Sequence, residues 1–89
     1  MHKQKNTLLH IYTNQGNYDK VKELLERGIN PNITGKGNYT PLEIASYKGF
    51  KEIVILLLKY GATLHKDNAL KLAKEYHHSE IIEILEKLL

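Results

Sequence analysis

With no cysteine in the chain, an acid–base or metal site would be sought first among its histidines, aspartates and glutamates. The same absence rules out disulfides, thiolate metal sites and a cysteine nucleophile. His77 and His78 are adjacent. On a helix they point about 100° apart and cannot share one metal as an i, i+4 pair does. There is no Gly-rich phosphate loop, no G-x-S-x-G and no H-E-x-x-H. An enzyme would need a cluster drawn from residues such as Asp67, Glu75 and His78, whose spacing defines no site. The expectation is no catalytic residue, no metal and no cofactor.

The elements that would position a site are easier to read. Thr40–Ala62, TPLEIASYKGFKEIVILLLKYGA, organises the chain. Thr40 can cap a helix, and Pro41 fits the first helical position, where no N–H is needed. Gly49 ends this short helix. A second helix follows, and its unbroken apolar run, Ile53–Leu58, predicts cover by protein on both flanks. Gly61 closes it where a positive φ is wanted. Such a helix-turn-helix needs a neighbour on each side.

A shift of 33 residues supplies the first neighbour, placing Thr7 on Thr40, Leu9 on Leu42, Gly16 on Gly49, Leu24-Leu25 on Leu57-Leu58 and Gly28 on Gly61. A period of that length is a turn plus two helices. Thr40-Pro41-Leu42-Glu43-Ile44-Ala45 resembles the T-P-L-H-x-A signature of ankyrin repeats, with Glu43 in place of the histidine. Thr7-Leu8-Leu9-His10 keeps the histidine and lacks the proline. Asn68-Ala69-Leu70-Lys71-Leu72-Ala73 is similar to a third, degenerate start. Its offset from Thr40 is 28, so the preceding turn is shortened. Glu80–Leu85 matches the second-helix pattern. The resemblance implies an all-α ankyrin solenoid of helix-turn-helix units joined by β-turn fingers, in one domain over 1–89 with repeats at about 5–34, 35–66 and 67–89. It also implies structural roles for His10, at the helix start, and for His78, after the inter-helix turn. His77 stands there in place of glycine.

The ends of the pattern differ from its middle. Lys20 and Glu23 occupy the positions of Ile53 and Leu56, and read as the solvent face of an N-terminal cap. Ile81 and Ile84 keep those two positions while Glu86 replaces Leu58, as an opposite cap requires. Cap, centre and cap predict a complete stack. Asn30–Asn38, rich in turn formers, is the one full-length finger, and Thr63–Asp67 is a truncated one.

At 89 residues the chain has limited capacity to bury a core. The polar start, Met1–Asn6, does not read as a signal peptide, and no apolar run is long enough to span a bilayer. The expectation is a cytoplasmic protein, or one in a host cytosol if it is a delivered effector. Net charge is +3. Residues 1–39 are basic on balance and residues 66–89 slightly acidic, and Arg27 is the sole arginine. That favours a protein partner with an acidic patch over nucleic acid or membrane, since phosphate tracking wants a sustained basic stripe.

The ankyrin resemblance implies a concave recognition surface made by the fingers and the first helices. On this chain it takes in Lys3, Gln4, Asn6, Asn14 and Gln15, then Lys36, Tyr39, Tyr47, Lys48 and Tyr60, then Asp67, Glu75 and Tyr76. Tyrosine offers large apolar area and a hydroxyl at low entropic cost. The row Tyr39, Tyr47 and Tyr76, flanked by Lys36 and Lys48, is the leading partner-binding candidate. A protein-binding module follows, acting as an inhibitor, an immunity-type protein or an effector. The alternative is a structural or scaffolding subunit joined through its convex back or ends. Ile55, where the other repeats have Lys22 and Glu83, would carry that second patch with Tyr18 or the Lys59 stem. The oligomeric expectation is a monomer with at most weak self-association.

Overall fold

The computed structural model describes residues 6–88. Six helices follow in order: α1 Leu8–Gln15, α2 Tyr18–Glu26, α3 Pro41–Lys48, α4 Lys51–Lys59, α5 Lys66–Glu75 and α6 Ser79–Lys87. One 3-10 turn, Lys36–Asn38, lies in the loop before α3. The helices pair as α1–α2, α3–α4 and α5–α6, and the pairs stack in two layers: α1, α3 and α5 in one, α2, α4 and α6 in the other. The whole measures 36 × 29 × 22 Å.

Local chemistry sets each helix start. Thr40 is extended, and its side chain accepts from the Glu43 amide at 3.2 Å while a Glu43 oxygen accepts from the Thr40 amide at 2.9 Å. This reciprocal box satisfies two donors that the first helical turn leaves over. Thr7 and His10 make the same box at α1. Gly16 and Gly49 end α1 and α3 at φ 72 and 80, a left-handed conformation that costs a side chain about 1–2 kcal/mol.

The core lies between the layers. Leu42, Val54 and Leu57 are fully buried, with Leu9, Val21, Leu25, Ile81 and Leu85 completing it above and below. The run Ile53–Leu58 is covered as expected, save for Ile55, which faces solvent. Lys20 and Glu23 form an exposed pair at 3.7 Å, and Glu86 is exposed and pairs with Lys74 at 3.5 Å, so the outer helices of both end repeats have a wet side.

The third repeat departs from expectation in one respect. Asn68 does not start α5. The helix begins at Lys66, behind His65 in a left-handed conformation with φ 60. Removing five residues from the second finger leaves the chain no span to loop out, so it turns from Ala62 almost directly into helix. Asn68 is thereby drawn into the first turn. The end of α5 keeps its register, with His77 at φ 60 where the other repeats have glycine. His77→Gly should therefore raise stability by about 0.5–1 kcal/mol, seen as a higher urea midpoint. An unchanged or lower midpoint would show that the turn is not strained.

Asn32 bridges the two connections. Its Oδ1 accepts from the amides of Thr63 and Leu64 at 2.9 and 3.0 Å, and its Nδ2 donates to the Gly61 carbonyl at 3.0 Å. It ties the end of the second repeat to the loop that precedes it.

Candidate partner-binding cleft

Three tyrosines from three different segments meet in one cleft. Tyr39 closes the first loop, Tyr47 stands on the last turn of α3, and Tyr76 follows α5. With Asn14, Glu43, Ile44 and Leu72 they line a concavity of about 350 Å³. The Tyr47 and Tyr76 rings meet edge to face, with centroids 4.7 Å apart and planes at 79°. That arrangement suits the ring quadrupoles and sets two walls nearly at right angles. All three rings stay accessible, at 45, 41 and 51% exposure for Tyr39, Tyr47 and Tyr76.

Two histidines hold the backbone beneath two of these rings. His10 Nε2 lies 2.9 Å from the Tyr39 carbonyl, and His78 Nε2 lies 2.9 Å from the Tyr47 carbonyl. A carbonyl can only accept, so each Nε2 carries the proton. The Nδ1 of His10 is then the acceptor for Thr7, whose hydroxyl is 2.8 Å away. These are the structural roles that the resemblance implied for His10 and His78. Space is reserved for both rings. A Cβ on Gly49 would come within 2.5 Å of His78, and one on Gly35 within 2.9 Å of His10 Nε2.

Glu43 forms part of the cleft lining and is almost fully buried. Its Oε1 accepts from the Thr40 amide and hydroxyl and lies 2.8 Å from His65 Nδ1, while Oε2 accepts from the Asn68 side chain. Burial pushes its carboxyl up. The hydrogen bonds from Asn68, Thr40 and His65, together with the charge of His65, outweigh that and hold it below the ordinary glutamate value. Glu43 thus does across the second interface what His10 does across the first. One inner helix start is tied to the next segment in both cases.

The remaining candidates scatter. Asn14 lines the cleft and Gln15 is exposed next to it in sequence. Lys48 is exposed, with its ammonium 6.0 Å from the centre of the Tyr47 ring. Lys36 is exposed in the loop turn, where its amide donates to Asn6 at 3.0 Å. Tyr60 is not among the cleft residues: it caps the C-terminus of α4 in the other layer and is half-buried against the core. Asp67 lines a separate hollow with Thr63, His65, Lys66 and Asn68, and Glu75 is exposed outside both. Lys3 and Gln4 lie outside the described residues. Ile55 and Tyr18 are exposed, at 42 and 39%.

Glu43, Ile44 and Leu72 were not anticipated as cleft residues. A signal existed for two of them: Ile11, Ile44 and Leu72 fall on one repeat position when the offsets of 33 and 28 are applied. An apolar residue kept at a position open to solvent in every repeat marks a surface stripe.

Comparison with known proteins agrees with this architecture. The family model described as ankyrin repeats (3 copies) matches residues 1–68. A putative ankyrin repeat protein of Rickettsia bellii is 36% identical over 81 residues, covering 84% of this chain and 32% of the relative. The potassium channel AKT2/3 of Arabidopsis thaliana is 36% identical over 75 residues, covering 79% of this chain and 9% of the channel. The putative ankyrin repeat protein YahD of Escherichia coli is 50% identical over 42 residues, 47% of this chain and 21% of the relative. The chain therefore spans less than a third of the length of each of these relatives.

Proposed function

The chain belongs to the ankyrin-repeat family, whose repeats mediate protein–protein interaction, and from that premise we propose that it binds a protein partner in the Tyr39–Tyr47–Tyr76 cleft. The convergence of three accessible rings from three segments onto one concavity carries the reading. Hydrogen bonds from His10 and His78 hold the backbone that carries Tyr39 and Tyr47, so binding need not order that backbone. Lys36 and Lys48 would meet an acidic segment of the partner. The mechanism is complementarity of shape and charge with no chemical step, and its effect is to occupy the partner's surface, as an inhibitor, immunity-type protein or effector does.

A second reading rests on Ile55, exposed on the outer layer with Tyr18: a structural subunit docking through its back. Affinity capture from lysate of the source organism separates the two, with wild type set against Tyr39→Ala/Tyr47→Ala and Ile55→Glu after each variant is shown to fold. Loss of one protein by about tenfold or more with the tyrosine pair alone supports the cleft. Capture that survives that pair and fails with Ile55→Glu moves the site to the back.

A further inference from the structure

Resting on that reading, the chemistry of the cleft lining bears on which partner side chain would fit it. The cleft combines aromatic rings with a carboxylate. Aromatic ring faces are negative, and three rings line this cleft, with Tyr47 and Tyr76 edge to face at 79°. Between them the lining includes a carboxylate, Glu43, only 3% exposed. Among the described residues its one ion pair is with His65, and neither a lysine nor the arginine pairs with it. Its hydrogen bonds are also unevenly shared: Oε1 takes three donors and Oε2 takes Asn68 alone. Oε2, with one donor, is the less crowded of the two oxygens. His65 meets Oε1 at 2.8 Å, and the Lys48 ammonium is 6.0 Å from the Tyr47 centroid, at the outer limit of such contacts. Lys48 is a loose neighbour of the ring and is not among the residues that line the cleft.

We propose that the Tyr39–Tyr47–Tyr76 cleft is a cation pocket that takes an arginine or lysine side chain of the protein partner, with its charge over the rings and toward Glu43. The Lys36 and Lys48 rim then reads acidic residues flanking that side chain, so the preferred partner segment is a basic anchor set among acids. A purely acidic segment would leave the cleft empty. A purely apolar one would cover the Glu43 carboxylate with nothing of opposite charge.

The test is an NMR titration of the full chain with Nα-acetyl-arginine amide and with the neutral, nearly isosteric Nα-acetyl-citrulline amide. The expected result is saturable shifts of the Tyr39, Tyr47 and Tyr76 ring signals with the arginine compound, and binding of the citrulline compound weaker by about two- to fivefold or more. Glu43→Gln should weaken the arginine response and leave the citrulline response unchanged. Should that variant misfold, Tyr76→Leu replaces it, with the same loss of discrimination expected. No saturable arginine response at the cleft overturns the proposal. Equal responses to the two compounds also overturn it while leaving the cleft a binding surface. The broader reading fails separately, if partner capture survives Tyr39→Ala/Tyr47→Ala.

Discussion

Leu57→Ala should lower the free energy of unfolding by about 2–5 kcal/mol. Leu57 is fully buried on α4, the middle helix of the outer layer, so the deleted atoms leave a void that α2, α3 and α6 would all have to move to fill. Close-packed helices relax only in part, and the remaining cavity adds to the lost transfer energy. Small domains have roughly 5–15 kcal/mol in total, with short chains toward the low end. The variant should therefore show a much reduced urea midpoint by circular dichroism, or be partly unfolded without denaturant. A midpoint equal to wild type would mean that the core is centred elsewhere.

Glu43→Leu should cost about 3 kcal/mol at neutral pH, and it should also change how stability responds to acid. The substitution leaves the Thr40 amide, His65 and Asn68 without their shared acceptor at the interface of the second and third repeats. Because the Glu43 carboxyl is held below its unfolded value of about 4.5, the unfolded chain takes up the proton first as pH falls. Its contribution is thus complete above the unfolded value and is lost as pH drops through the lowered folded one. Urea midpoints measured from neutral pH downward should fall less steeply in Glu43→Leu than in wild type across that window. Parallel acid limbs would show that Glu43 is not the group whose ionisation supports the interface.

What could be read from the sequence followed the strength of local signals. Thr40, Pro41, Gly49 and Gly61 each mark a conformation that few other residues meet as well, so α3 and α4 were legible to within a residue or two. The tyrosine row was legible because position in the repeat decides which way a residue faces. The start of α5 was not. Once the second finger is cut short, the spacing between repeats no longer says where the helix begins, and His65 carries no capping signature. Tyr60 was placed on the recognition surface for its residue type, yet its helix belongs to the other layer. Glu43 read as a substituted signature histidine, and its partners, His65 and Asn68, come from a repeat whose register had slipped.

The Asn32 bridge bears on how the molecule comes apart. Stacked repeats coupled only through neighbouring helix faces can peel, the last unit detaching while the rest holds. Here one amide side chain from the first connection grips three backbone groups of the second. The clasp fixes residues 61–64, immediately before α5, to a residue a full repeat upstream. The start of the third repeat is thus anchored by more than helix faces, and the cleft, whose far wall is Tyr76, depends on that repeat staying docked.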